Sequence, residues 1–189
     1  MDCCESTAQS CCTPSTKVGP VAAPTARRIL EVEFLYLDLK VCERCQGTDQ
    51  VLKDAVEEAN RILGPTGVDV TLKMTHVESE EQARTLGFVS SPTIRFMGRD
   101  AEIELKEDSC KGCSSVGGGD ITCRVWTWQG KESSVPPKAM LLDAILRAAY
   151  LHPDGVKVIP EPIKDLPENL KRFFQGADAP GDGKSCCTP

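Results

Sequence analysis

The stretch ILEVEFLYLDLKVCERC, residues 29–45, decides the fold of this chain. Before its first cysteine it is almost continuously apolar, which is typical of a central strand covered on both faces of a sheet. Apolar residues then recur at helical spacing over 51–63 and stop at Gly64-Pro65, a strong helix-ending signal. The C-x-x-C formed by Cys42 and Cys45 is therefore expected at a junction between a strand and a helix.

Further strands and helices follow along the chain. Apolar and polar residues alternate over 68–75, which predicts a second strand with one buried face. A strand, a helix and a strand in succession imply a parallel pair. We then expect a short helix around 78–86, strands over 93–97, 102–106 and 121–128, and an amphipathic helix over 138–150.

The chain is expected to divide into four segments. These are a disordered arm with cysteine pairs (1–28), an α/β domain (29–151), a capping extension with a short helix after Pro167 (152–175) and a disordered tail with one cysteine pair (176–189). The word SCCTP occurs in both arms, at 10–14 and at 185–189, and this repetition indicates a functional element.

Composition and charge exclude several classes of function. The net charge of −6 and the pI near 5.1 provide no field that attracts phosphates, so we expect neither nucleic acid nor a membrane surface as partner. The start of the chain lacks the pattern of a secretory signal, so we expect a cytoplasmic protein. Eleven cysteines in a reducing compartment indicate metal binding or redox chemistry rather than a disulfide framework. The glycine run 117–119 lacks phosphate-loop spacing, and no organic cofactor is expected.

The order of these elements resembles the thioredoxin fold over residues 29–151. The motifs VCERC (41–45), SPTIR (91–95), CKGC (110–113) and PPK (136–138) are similar to those of a poorly characterised thioredoxin-like family, a domain of unknown function often associated with arsenic and mercury detoxification genes. The resemblance implies a thioredoxin-like fold with a central mixed sheet and a cysteine-bearing hairpin insertion. It also implies a catalytic site of Cys42, Cys45 and a cis proline at Pro92, although the base rate for X-Pro bonds predicts trans.

The position of the first cysteine pair favours thiol chemistry. Unpaired N–H groups and the dipole at a helix start lower a thiol pKa, so Cys42 would attack a disulfide and Cys45 would resolve it. We expect Arg44 to assist the thiolate and Glu43 to oppose it. Because Glu43-Arg44 stands where thioredoxins have Gly-Pro, a slower or specialised thiol function is expected. The alternative is that both cysteines are buried small residues, or half of a zinc site.

A second group of cysteines lies in the insertion. Cys110 and Cys113 form another C-x-x-C, and Cys123 follows the glycine run on the next predicted strand. The connection is long for a hairpin, and such loops are usually functional or disordered. The three thiols could converge on one thiophilic ion. Cys123 alternates with the apolar Ile121 and Val125, so a plain core position is the alternative.

Three vicinal pairs, Cys3-Cys4, Cys11-Cys12 and Cys186-Cys187, are further candidate metal ligands. Adjacent Cα atoms about 3.8 Å apart are too close for an unstrained disulfide. Soft thiolates suit Hg(II), As(III), Cu(I) or Zn(II). The alternative is that these are incidental thiols on disordered tails.

Three functions remain open at this point. The first is a thiol-disulfide or metalloid oxidoreductase served by a thiol reductant, linked to soft-metal handling. The second is a protein that binds or delivers a soft metal or metalloid ion without catalysis. The third is a scaffold stabilised by zinc or another thiophilic ion. The sequence separates neither catalysis from binding nor one oligomeric state from another.

Overall fold

The computed structural model describes residues 27–101, 105–151 and 155–177, which form a mixed α/β structure. Its strands are β1 Arg28–Tyr36, β2 Val68–His76, β3 Thr93–Phe96, β4 Arg99–Asp100, β5 Lys106–Ser109, β6 Thr122–Trp128 and β7 Lys131–Ser133. Its helices are α1 Glu43–Leu63, α2 Glu80–Thr85, α3 Lys111–Gly117, α4 Lys138–Leu151 and α5 Glu168–Ala177, and a 3₁₀ turn spans Gly64–Thr66. Most of these elements fall where the hydrophobic pattern predicts them.

The strands form two sheets. The larger has the order β2-β1-β3-β4 and is mixed, since β1 is parallel to β2 and antiparallel to β3. The parallel pair runs in register from Arg28 opposite Val68 to Tyr36 opposite His76. The smaller sheet is antiparallel, with the order β5-β6-β7. The predicted mixed sheet and the predicted parallel pair are confirmed.

Strand β1 carries apolar residues on both faces because both faces pack against a core. Val32 and Phe34 belong to a core that also contains residues of α1 and α4. Leu35, and Leu37 just after the strand, belong to a second core with residues of α2 and α5. This second core also contains the five described cysteines, so the candidate site lies on this side of the sheet.

The connection between β5 and β6 is not the long loop expected from the sequence. It contains the helix α3, whose C-cap residue is Gly118 with a φ of 67°. The preceding Gly117 packs closely, since an added Cβ would lie 2.8 Å from Ile121 and 3.1 Å from Phe173. The local sequence KGCSSVG has no helical apolar period, so packing against α5 rather than propensity sustains this helix. The strand expected over 102–106 is observed as β5 at 106–109, with 102–104 outside the described residues.

The C-terminal extension is hydrogen-bonded to the chain just after β3 and to α2 before it forms α5. The Val158 N–H donates to the Met97 carbonyl (2.9 Å), and the Ile163 N–H donates to the Arg84 carbonyl (3.0 Å). The helix expected after Pro167 is α5, and it continues to Ala177. Residues 1–26 and 178–189, which hold most of both cysteine arms, lie outside the described residues.

Candidate metal centre

Cys42 occupies the N-cap of α1, directly after the turn that follows β1. Its sulfur accepts a hydrogen bond from the Cys45 N–H (3.4 Å), and its carbonyl accepts the Gln46 N–H (3.0 Å). A side-chain acceptor at this position satisfies one of the N–H groups that a helix start leaves without a partner. The first C-x-x-C therefore stands at the strand-to-helix junction that the sequence predicts.

The second C-x-x-C repeats this arrangement at α3. Cys110 is the N-cap residue of the helix, and its carbonyl accepts the Ser114 N–H (2.9 Å). The Cys110 N–H donates to the Ile121 carbonyl (2.8 Å), which ties the helix start to the chain entering β6. Cys113 lies in the first helical turn. Both motifs thus place one cysteine at a helix cap and the other in the first turn.

Gly112 allows the two helix starts to meet. A Cβ at this residue would lie 2.2 Å from the Val41 carbonyl oxygen and 3.1 Å from the Cys42 Cα. Both atoms belong to the backbone and cannot move aside as a flexible side chain would. Only glycine therefore permits this approach of α3 to the beginning of α1.

Strand β6 brings the last cysteine to the same place. Cys123 and Ile121 lie in the core that holds the cysteines, while Trp126 faces the other core. The Arg44 guanidinium donates to the carbonyls of Cys123 (3.0 Å) and Ser109 (2.9 Å). Arg44 therefore braces β5 and β6, which differs from the expected role of assisting the Cys42 thiolate.

Four sulfurs converge in this core. The Sγ atoms of Cys42, Cys110, Cys113 and Cys123 all lie within 4.8 Å of one another. Cys42 and Cys110 are 3.8 Å apart, and Cys113 and Cys123 are 3.3 Å apart. Tetrahedral zinc with Zn–S bonds near 2.3 Å requires sulfurs about 3.8 Å apart. These four thiols could therefore hold a metal ion.

The group is almost closed to solvent. Cys42, Cys113 and Cys123 are 0% exposed, and Cys110 is 5% exposed. Cys110 lines a cleft of about 320 Å³ whose other walls include Arg44 and Lys111. A closed set of four thiols is typical of a structural or storage site, whereas a catalytic zinc site keeps an open coordination position.

Mutual hydrogen bonding separates the pKa values of these thiols. The thiols of Cys110, Cys113 and Cys123 hold the pKa of Cys42 well below its usual range, in that order of importance. Hydrogen bonds from Cys113 and Cys123 lower the pKa of Cys110 to about 6.

The remaining two cluster thiols titrate in the opposite direction. The pKa of Cys113 and the pKa of Cys123 are raised, chiefly through their hydrogen bonds with Cys110, and burial adds to the effect. Four adjacent thiolates are unfavourable in an apolar core without a compensating cation. A bound cation would hold all four as thiolates, and binding would release the protons they carry.

Cys45 has a different environment from the four clustered cysteines. It is fully buried and lies outside the four-sulfur group, and its sulfur is 3.4 Å from the Ser91 hydroxyl. That hydroxyl accepts the Leu37 N–H (3.2 Å). The Cys42 thiolate, followed by burial, raises the pKa of Cys45. The adjacent Ser91–Pro92 peptide bond is cis, not the trans isomer that the base rate predicts.

The structure joins residues that the sequence analysis assigned to two separate sites. It brings Cys110, Cys113 and Cys123 together and adds Cys42, which was assigned to redox chemistry with Cys45. The identical spacing of the two C-x-x-C motifs was the available signal that both begin helices. Six further candidate ligands lie outside the described residues: Cys3, Cys4, Cys11, Cys12, Cys186 and Cys187.

Comparison with known proteins places this site within a family. A family model described as a domain of unknown function, DUF2703, matches residues 30–145, more than half of the chain. The chain belongs to the DUF2703 family. The DUF2703 region contains all five described cysteines, and therefore the whole candidate metal centre.

Other comparisons add no relative to this DUF2703 protein. No curated protein and no solved structure matches it. Among the described residues, none of the helices combines the length and the apolar character needed to cross a membrane.

Proposed function

We propose that this protein binds one thiophilic metal ion through Cys42, Cys110, Cys113 and Cys123, and that its function is the handling of soft metals. The observation that carries the proposal is the buried convergence of four sulfurs within 4.8 Å. Thiolates select soft ions, and a tetrahedral set of four sulfurs favours zinc or an ion of similar preference. Three-coordinate ions such as As(III) would use only part of the set.

The scaffold proposed for this site is thioredoxin-like. In support, β1 leads directly to a C-x-x-C at the start of α1, and a cis Pro92 precedes β3. Ser91 contacts Cys45, the second cysteine of that motif. Five described cysteines are free thiols, which fits a reducing compartment, and we place the protein in the cytoplasm.

Zinc loading of the full chain under anaerobic conditions tests the metal-binding function. The arm cysteines could also bind zinc, so the background carries Ser at all six of them: Cys3, Cys4, Cys11, Cys12, Cys186 and Cys187. We expect one zinc per chain by native mass spectrometry. Cobalt substitution should give the thiolate-to-cobalt charge-transfer bands of a tetrahedral tetrathiolate.

Variants of single cysteines identify the ligands. Cys110→Ser and Cys123→Ser should each weaken zinc binding strongly, because each removes a thiolate from the set. Cys45→Ser is the matched control: Cys45 is equally buried and lies next to the site, but is not one of the four sulfurs. Equal loss of zinc from the Cys45→Ser and Cys110→Ser variants would contradict the proposed ligand set.

A second candidate function is thiol-disulfide exchange at Cys42 and Cys45, with a thiol reductant as partner. It is favoured by the hydrogen bond from the Cys45 N–H to the Cys42 sulfur, which stabilises a thiolate at a helix start. Anaerobic redox titration with thiol trapping tests it. A reversible disulfide of these two cysteines at a cytosolic potential supports the oxidoreductase, and thiols that stay reduced at that potential refute it.

A further inference from the structure

Cys42 belongs to the four-sulfur group and also contacts the second cysteine of its own motif. Its sulfur lies 3.8 Å from the Cys110 sulfur and also accepts the Cys45 N–H. A thiolate is the metal ligand, and a sulfur in a disulfide no longer carries that charge. Metal binding through Cys42 and a disulfide through Cys42 therefore exclude each other.

The exposed edge of the site suggests where an oxidant would act. Cys110 is 5% exposed and opens onto the cleft beside Lys111, whereas Cys42 and Cys45 are completely buried. A small disulfide arriving from solvent therefore meets Cys110 first. The Cys42 sulfur lies 3.8 Å from the Cys110 sulfur, and Cys45 is the second cysteine of the motif that begins with Cys42.

We infer, resting on the proposed metal-binding function, that Cys110, Cys42 and Cys45 form a thiol relay through which a low-molecular-weight disulfide oxidises the protein and releases its metal ion. The Cys110 thiolate attacks the disulfide RSSR, which gives a mixed disulfide and RS⁻. The Cys42 thiolate then attacks the Cys110 sulfur, which forms a Cys42–Cys110 disulfide and releases the second RS⁻.

The last exchange moves the disulfide inward. The Cys45 thiol attacks the Cys42 sulfur, so that a Cys42–Cys45 disulfide forms and Cys110 leaves carrying the proton. In the net reaction RSSR is reduced by two electrons to two RS⁻, and the two cysteines of the first motif are oxidised. The ion thereby loses Cys42 as a ligand and the negative charge of the Cys110 thiolate, which is now protonated. Only Cys113 and Cys123 still hold the ion, and it dissociates.

Oxidation of the zinc-loaded full chain by oxidised glutathione tests the relay. The background again carries Ser at the six arm cysteines. Zinc release is followed with a chromogenic chelator, and disulfides are mapped by mass spectrometry after thiol trapping. We expect one zinc released for each Cys42–Cys45 disulfide formed. In the Cys45→Ser variant the exchange should stop at the Cys42–Cys110 disulfide, which should accumulate in place of the Cys42–Cys45 disulfide.

The outcomes separate this inference from the function on which it rests. Loading of less than one zinc before oxidation refutes the metal-binding function, whatever oxidation then does. Full loading followed by oxidation of the Cys45→Ser variant without a Cys42–Cys110 disulfide overturns the relay. A Cys113–Cys123 disulfide as the main product overturns it too, since those sulfurs are 3.3 Å apart and are the competing pair. Cys45→Ala provides a second variant should the serine impair folding.

Discussion

At the scale of single residues, Gly112 controls how closely the two C-x-x-C motifs approach. We expect Gly112→Ala to weaken zinc binding and to lower the free energy of unfolding by about 1 to 3 kcal/mol. The new Cβ would lie 2.2 Å from the Val41 carbonyl oxygen, and this clash forces α3 away from Cys42. Competition with a zinc chelator and urea unfolding measure the two effects.

The control for this substitution is Gly119→Ala. Its added Cβ would meet no atom within 4 Å, although it lies in the same insertion. Zinc affinity in this variant should equal that of the parent chain. Equal losses at Gly112 and Gly119 would show that the close approach of the motifs is unimportant.

Single residues also show how far the sequence predicts the site. The alternation of Cys123 with Ile121 predicts a buried position, and Cys123 is fully buried. The prediction that Cys123 is a metal ligand is compatible with the same burial, because the four candidate ligands themselves lie in a core. Local patterns could not pair Cys42 with Cys110, because the contact depends on packing between segments far apart in the chain.

At the scale of elements, an ion pair attaches the C-terminal extension to β1. The Lys157 ammonium donates to Glu33 (3.1 Å), and the Lys73 ammonium donates to the same carboxylate (3.2 Å). Burial alone would raise the pKa of Glu33, but these two lysines outweigh it and hold the pKa below its usual value. The folded state therefore favours the ionised carboxylate.

This ion pair gives stability a defined pH dependence. The pKa of Glu33 is lower in the folded state than in the unfolded state. The ionised carboxylate therefore contributes fully to stability above the usual carboxyl pKa, and this contribution is lost as the pH falls through the lowered pKa. Glu33→Gln should cost about 1 to 3 kcal/mol at pH 7. Urea unfolding across pH should show the difference from wild type shrinking below about pH 4. A difference that stays constant down to pH 2 would contradict this assignment.

The side chain of Asn169 attaches helix α5 to β6. The Asn169 amide accepts the Thr122 N–H (2.9 Å) and donates to the Thr122 carbonyl (2.8 Å), as a neighbouring strand would. Asn169→Ala should lower the free energy of unfolding by about 1 to 3 kcal/mol, because both backbone groups lose a partner. Gln175→Ala, on an exposed position of the same helix, should change it by less than about 0.5 kcal/mol. Thermal unfolding of both variants measures this difference.

Elements with a strong local pattern were the predictable ones. The helix α1 and the parallel pair of β1 and β2 follow from apolar periodicity and from the stop at Gly64-Pro65. The helix α3 was missed, because it has two glycines and no apolar face of its own. Its position depends on contacts with α5 and with the beginning of α1, which no local pattern encodes.

At the scale of the whole molecule, the two cores should respond differently to metal removal. The core of the cysteines includes residues of α5, whereas the other core packs α1 and α4 against the sheet with no cysteine. An ion whose free concentration is a thousand times its Kd stabilises the folded state by about 4 kcal/mol. Stripping zinc with a chelator should therefore speed hydrogen exchange in α3 and α5 and leave α4 protected. Uniform acceleration would contradict separate cores, and no acceleration would contradict a stabilising ion.

The most direct test of the four-cysteine centre is X-ray absorption spectroscopy at the zinc edge. The sample is the full chain with Ser at the six arm cysteines, loaded with one equivalent of zinc. The arrangement of Cys42, Cys110, Cys113 and Cys123 predicts four sulfur neighbours at about 2.3 Å from zinc. A first shell with oxygen or nitrogen neighbours, or with fewer than four sulfurs, would contradict the centre proposed for this protein.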